Sequence, residues 1–290
     1  MRRITEETGM EYERKPMTDA DAAMLWEALD AVFPTEEGVE EELYTFKAVD
    51  GGKLVGGCVL DVDMTKTAEF NSLWVDEPYR RKGLGTALVC AAERKARERG
   101  CRAIQNAFTF DWQNAKPLFE KMGYRRIGTF RDWPKGHEGY VLTKRLQATP
   151  EDAAIPAGIA VVPGSEEDGE AIRAALEATC ASAAPRSHPY LDLDRKLVDA
   201  NGSLIAGCIA GVSGWDTLHI DVIWVDEPYR NRGLGSALLA EIEHEAREAG
   251  AYLARADAPE CTEAFFRKNG FATVVVYEDG PKWSVLQKSL

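Results

Sequence analysis

The 290-residue sequence is short of several things, and each shortage removes a class of protein. It has no run approaching the ~18 uncharged apolar residues that a membrane-crossing helix needs. Its six cysteines (Cys58, Cys90, Cys101, Cys180, Cys208, Cys261) form no Cys-x-x-Cys pair, and the four histidines show no metal spacing. The expectation is therefore reduced thiols, no disulfide frame and no metal site. Arg2 and Arg3 are not followed by an apolar core, so no secretory signal is read and a cytoplasmic location is expected. Basic charge is scarce in the second half. Residues 1–150 hold 23 basic and 25 acidic side chains, whereas residues 151–290 hold 12 and 23, within an overall net charge of −13. An acidic surface repels phosphate backbones, which makes nucleic acid an unexpected partner and a cationic substrate a compatible one.

What is present is a repeat. Trp74-Val75-Asp76-Glu77-Pro78-Tyr79-Arg80 recurs unchanged as Trp224 to Arg230, an offset of 150 residues. Gly83-Leu84-Gly85 matches Gly233-Leu234-Gly235, and Gly57-Cys58-Val59 matches Gly207-Cys208-Ile209. Lys121-Met122-Gly123-Tyr124 echoes Lys268-Asn269-Gly270-Phe271. A conserved order at near-constant spacing implies a tandem duplication. The expected division is a first domain over 1–148, an Ala/Pro/acidic linker over 149–157 and a second domain over 158–290.

Each copy alternates strand and helix signals. In the first, Thr18 or Asp19 caps a helix to about residue 32. Strands are expected at 44–49, 53–62 and 67–75, with a hairpin turn at Asp50-Gly51-Gly52. A helix over 83–98 stops at Gly100, and a strand over 101–108 follows. A short helix over 114–122 leads into a closing hairpin over 124–133 and 138–146. The fold class is α+β, sandwich-like, in two tandem domains. Each has a mixed, mostly antiparallel central sheet flanked by helices.

The chemical centre is the strand-to-helix junction Arg80-Arg81-Lys82-Gly83-Leu84-Gly85-Thr86, repeated as Arg230-Asn231-Arg232-Gly233-Leu234-Gly235-Ser236. The first amides of a helix lack partners within it and lie at the positive end of its dipole. Glycines allow a tight turn and a close approach of ligand to backbone. Such a junction suits a phosphate or diphosphate. It is neither a P-loop, which needs Gly-Lys-Ser/Thr, nor a dinucleotide fingerprint, whose spacing is longer.

These residues carry a resemblance. Arg-x-x-Gly-x-Gly after a strand ending Leu-Trp-Val-Asp-Glu-Pro-Tyr resembles the acetyl-CoA motif of the GNAT N-acetyltransferases. Phe-Glu-Lys-Met-Gly-Tyr and Phe-Arg-Lys-Asn-Gly-Phe resemble the closing helix of that superfamily. The resemblance spans nearly the whole chain as two GNAT units. It implies acetyl-CoA as acyl donor, with its diphosphate on the backbone of Arg81–Thr86 and Asn231–Ser236. Pantetheine would lie along Leu73 and Val75, and along Val225 in the second copy, with Asn114 assisting. It implies direct attack by a primary amine of a small molecule or peptide, at one or both copies, in a monomer or homodimer without metal or membrane. Glu69 aligns with the general-base glutamate of the histone-acetyltransferase branch, with Asn71 on the same strand face. His219 and Asp221 hold these places in the second copy. Many members carry a tyrosine that protonates the leaving thiolate; here Phe119 and Phe266 occupy that position, which leaves open a non-catalytic acyl-CoA-binding or sensor protein. Tyr124, Trp74, Trp224, Cys58 and Cys208 are expected in the core. Trp112, Trp133 and the acidic run 36–42 are candidates for the acceptor cleft.

Overall fold

The computed structural model describes residues 13–30, 42–63, 66–110, 115–133, 135–146, 157–180, 188–277 and 282–290. In chain order the first half gives β1 (Glu13–Pro16), α1 (Asp19–Asp30), β2 (Glu42–Asp50), β3 (Lys53–Val62), β4 (Ala68–Val75), α2 (Leu84–Glu98), β5 (Ala103–Phe110), α3 (Ala115–Lys121), β6 (Arg125–Phe130) and β7 (Gly139–Arg145). The second half gives β8 (Ile159–Pro163), α4 (Glu166–Cys180), β9 (Leu191–Asp192), β10 (Arg195–Val198), β11 (Leu204–Ser213), β12 (Thr217–Val225), α5 (Leu234–Glu248), β13 (Leu253–Pro259), α6 (Glu260–Lys268), β14 (Ala272–Tyr277) and β15 (Trp283–Ser289). Among the described residues no helix is long and apolar enough to cross a membrane.

The chain forms two compact units. The first-motif unit gathers the described residues of Thr35–Pro185 with Tyr277–Lys282; the second-motif unit gathers those of Met1–Pro34, Arg186–Val276 and Trp283–Leu290. In the first-motif unit the strand order is β8-β2-β3-β4-β5-β7-β6, and in the second-motif unit β1-β10-β11-β12-β13-β15-β14, with β9 beside β11. Among the registered pairings only β4 with β5 and β12 with β13 run parallel. Each sheet is thus mixed and mostly antiparallel, flanked by helices. The core of the first-motif unit lies between the sheet and α2, through Cys58, Leu60, Phe70, Leu84, Leu88 and Ile104. The matching core of the second-motif unit runs through Cys208, Ile220, Leu234, Leu238 and Ala254, on α5.

These compact units do not coincide with the two sequence halves expected from the repeat. The opening strand and helix of each half sit in the unit that carries the other half's motif. β1 pairs with β10, and Leu25 of α1 packs with Ile209 and Val222. β8 pairs with β2, and Ile172 of α4 lies so closely over Gly57 that an added Cβ would collide with its side chain. Gly207 plays the same part for Leu25, at 2.8 Å. A β–α arm that fits one repeat fits its duplicate, so the halves and the packed units need not agree.

Candidate active site

The two strand-to-helix junctions are built alike. β4 ends at Val75, and a single 3₁₀ turn (Glu77–Tyr79) carries the chain to Arg80. Arg81 then takes φ +61° and Gly83 φ +90° before α2 begins. In the second unit the 3₁₀ turn is Glu227–Tyr229, Asn231 has φ +62° and Gly233 φ +83°. A left-handed Arg costs on the order of 1 kcal/mol, which the surroundings must offset. Neither Gly83 nor Gly233 offers a side-chain cap. The first turns of α2 and α5 also contain no acidic residue, whereas those of α1, α4 and α6 do. The helix starts of α2 and α5, like that of the short α3, therefore hold no carboxylate of their own that would compete with an external anion.

The basic residues divide their work. Arg80 Nε donates to the carbonyl of Val75 (2.8 Å), and Arg230 Nε to that of Val225 (2.9 Å). These guanidinium groups hold the turn against its strand. Lys82 Nζ stands 5.8 Å from the Tyr79 ring centre, and Arg232 the same distance from Tyr229. Arg81, Lys82 and Gly83 are exposed, as are Asn231, Arg232 and Gly233. Gly85 has a packing reason to be glycine: a Cβ there would stand 3.1 Å from Leu118 of α3. Gly235 faces Phe265 at 3.2 Å in the same way. Leu84 and Leu234 are buried core residues, while Thr86 and Ser236 are half-buried at the third helical position.

The sheet opens beside each junction. β4 and β5 pair at Ala68↔Ile104 and Glu69↔Gln105, and no further pairing between them occurs among the described residues. β12 and β13 pair from Thr217↔Leu253 to Ile220↔Ala256 and then part. Each inner strand carries a bulge at the opening. Phe70 faces Leu60 and Ser72 faces Val59, leaving Asn71 as the extra residue; Asp221 is the extra residue between Ile220 and Val222. Both are exposed. Past the bulge, Ile223 and Val225 face the core under α5, while Val222 and Trp224 pack towards Leu25. Such an offset re-aims the strand at a functional edge.

Glu69 is half-buried and its Oε2 accepts from Gln105 Nε2 at 3.1 Å. His219 lies 3.3 Å from Ser213 Oγ; burial, aided by Arg255, lowers its pKa to about 4, so its imidazole is neutral at pH 7. Although Asp221 is exposed as a residue, the protein around its carboxylate desolvates that group in part and, with Asp257 and Asp194, raises it to about 6. Asp221 is thus the better matched of the two for taking a proton near neutrality. Sequence reasoning missed the surroundings of this group. Tyr190 lies on Gly211, the strand partner of His219, so closely that a Cβ there would collide with its ring. Desolvation and the carboxylates of Asp221, Asp192 and Asp194 push the Tyr190 phenol up to about 12. Tyr190, Asp192 and Asp194 lie outside the repeated motifs, so the repeat does not mark them as it marks Asp221.

Other expectations resolve as follows. Phe119 is fully buried, 4.9 Å from Tyr124 and 5.4 Å from Phe70, and Phe266 stacks edge-on against Phe271. Tyr124 donates to Glu93 Oε1 (3.1 Å), a carboxylate also held by Lys144 at 2.8 Å, so its phenol serves the core. The second unit keeps the lysine-held glutamate without the phenol, with Glu243 held by Lys288 at 2.7 Å and Phe271 in the place of Tyr124. Cys58 and Cys208 are completely buried, and desolvation raises both thiols far above their usual range. Trp133 does not line a cleft: it is 1% exposed and packs edge-on to Phe130, because the closing hairpin folds it inward. Trp112, Asn114 and residues 36–41 lie outside the described residues.

The profile of the Acetyltransferase (GNAT) family matches residues 3–124 and again 162–271. The chain belongs to the acetyltransferase (GNAT) family, in tandem form. It is similar to a blasticidin-S acetyltransferase of Streptomyces morookaense, with 36% identity over 115 residues, 39% of this chain and 82% of that protein. Among solved structures, an acetyltransferase from Bacillus cereus ATCC 14579 is 28% identical, covering 46% of this chain and 96% of its own at a TM-score of 0.39. A tandem GNAT protein from the clavulanic acid biosynthesis pathway covers 96% of this chain and 98% of its own, at 16% identity and a TM-score of 0.41.

Proposed function

We propose that the protein is an acetyl-CoA-dependent N-acetyltransferase acting on a cationic primary amine. The observation that carries this reading is the pair of identically built helix starts. Each is uncapped, free of carboxylates and set at the point where two parallel strands part. The amides of Arg81–Thr86 and Asn231–Ser236 would hold the diphosphate, and the opening beside Leu73 and Val75, or Val225, would admit the pantetheine arm. The amine then attacks the thioester carbonyl directly: an N–C bond forms, the C–S bond breaks, and CoA leaves as thiolate.

The attacking amine must first lose a proton. Glu69 with Asn71 would take it in the first-motif unit, and Asp221 beside neutral His219 in the second. Tyr190, Asp192 and Asp194 around Asp221 give the second unit an aromatic and anionic acceptor side, which suits a positively charged amine. The likeness to a blasticidin-S acetyltransferase supports a small-molecule acceptor.

A second reading, an acyl-CoA-binding module without turnover, is favoured by Phe119 and Phe266, which put a buried phenyl ring in place of the usual phenol in both units. A coenzyme thiol ionises near pH ~8.5, so it can depart without one. Thermal unfolding with acetyl-CoA tests binding, since a ligand of the folded state alone must raise the midpoint. Thiol release with a panel of amines then separates the readings. The transferase requires acceptor-dependent release; a thermal shift without it selects the binding module, and no shift refutes both.

A further inference from the structure

The arms that cross between the sequence halves carry matching sets of contacts. Thr18 and Asp21 cap α1 reciprocally: the amide of Thr18 donates to Asp21 Oδ2 at 2.8 Å, and the amide of Asp21 to Thr18 Oγ1 at 3.3 Å. Ser165 and Asp168 cap α4 in the same way, at 2.7 and 3.2 Å. Each capping aspartate also receives a lysine from the other half of the sequence. Lys47 Nζ reaches Asp168 Oδ2 at 2.8 Å, and Lys196 Nζ reaches Asp21 Oδ2 at 2.5 Å. Seven residues past each cap serine or threonine, Ile172 seats on Gly57 and Leu25 on Gly207. Gly57 is the strand partner of Trp74, and Gly207 of Trp224, at the ends of the two strands that feed the motif turns.

We infer that each acyl-transfer site is a composite of both halves of the sequence: α4 walls the strand that leads into the first turn, α1 walls the strand that leads into the second, and Lys47–Asp168 and Lys196–Asp21 are the latches that position them. α2 covers one face of β4. Phe70 belongs to that face, so the alternation of a strand puts Glu69 on the other, the face against which α4 packs. Ile172, Asp168, Leu25 and Asp21 are thus positioning residues for a motif in the opposite half. The assignment of these faces to acyl transfer rests on the function proposed above; the exchange itself does not.

The test uses the unaltered 290-residue chain. A water-soluble carbodiimide activates a carboxylate, and an adjacent lysine amine displaces the activating group as a urea, leaving an amide with no spacer. Peptide mapping is expected to find Lys47 joined to Asp168 and Lys196 joined to Asp21. Products joining Lys47 to Asp21 or Lys196 to Asp168 overturn the inference, and so does the absence of the expected pair. Amide hydrogen exchange supplies the positioning readout. Ile172→Ala is expected to speed exchange at least tenfold around Gly57 and Trp74 and to weaken protection of residues 81–86 by acetyl-CoA, leaving residues 231–236 unchanged. Leu25→Ala should do the reverse, and the opposite pattern refutes the composite site. If acetyl-CoA protects neither turn in the unaltered chain, the cofactor reading fails while the coupling products still decide the exchange.

Discussion

A carboxylate placed at the third helical position of each motif should stabilise the protein and exclude the coenzyme at the same time. Thr86 and Ser236 occupy that position in α2 and α5, both half-buried at helix starts with no acidic residue in the first turn. Thr86→Glu sets a negative charge against the helix dipole, a gain of about 0.3–1 kcal/mol. In a unit of this size that corresponds to a midpoint rise of roughly 1–4 °C. The same carboxylate would stand on the order of 5 Å from a bound diphosphate. At an effective dielectric near 20, two unit charges at that distance repel by about 3 kcal/mol. The result is a loss of acetyl-CoA affinity of roughly two orders of magnitude at that turn. Scanning calorimetry measures the first effect and isothermal titration the second. Thr86→Glu should remove one binding event, Ser236→Glu the other, and the double variant both. A variant that unfolds no lower than the parent yet binds acetyl-CoA with unchanged affinity would refute the anion-site assignment for that turn. Substituting Gly85 or Gly235 is a poorer probe, because Leu118 and Phe265 already crowd those positions.

Three other outcomes follow from the same geometry. With its pKa near 6, Asp221 is a carboxylate above that pH and neutral below it, so turnover at the second turn should fall as the pH drops through 6; Asp221→Asn should flatten the acid limb of kcat against pH while acetyl-CoA affinity holds, and an unchanged limb removes Asp221 from proton transfer. His219 has a folded pKa of about 4 against about 6.5 when unfolded, so the unfolded chain binds the extra proton and stability drains between pH 6.5 and 4, by up to about 3 kcal/mol; urea titrations at pH 7 and 4.5 should show His219→Gln relieved of that loss. Phe119→Tyr, which restores the usual phenol, should destabilise by about 1–3 kcal/mol without raising turnover, because its hydroxyl would enter a sealed cluster with Tyr124 and Phe70; a faster enzyme of equal stability would show that the site opens there.

What could be read from the sequence was local, and what could not was a choice between equals. Lys53–Val62 was legible as a strand to the residue, because Asp50-Gly51-Gly52 supplies a turn at one end and a short uninterrupted non-polar run follows it. The motif turns were legible because their glycines and preceding bases occur twice, and the observed backbone angles agree between copies to within about 10°. The bulges at Asn71 and Asp221 left no mark, since one extra residue in an apolar strand alters no composition. Nor could the repeat show where the opening arms dock. Thr18, Asp21 and Leu25 have counterparts in Ser165, Asp168 and Ile172, and Lys47 and Gly57 have theirs in Lys196 and Gly207. Each of these latches and wedges has a chemically similar counterpart in the other half, so these contacts alone are indifferent between the exchanged and unexchanged arrangements. The choice must rest on whatever differs between the two arrangements, and the latches and wedges do not. Changing one latch to the opposite polarity lifts the indifference: Lys47→Asp with Asp168→Lys keeps both ion pairs when the arms are exchanged. When they are not, the same double change sets two carboxylates against each other at positions 47 and 21, and two ammonium groups at positions 196 and 168.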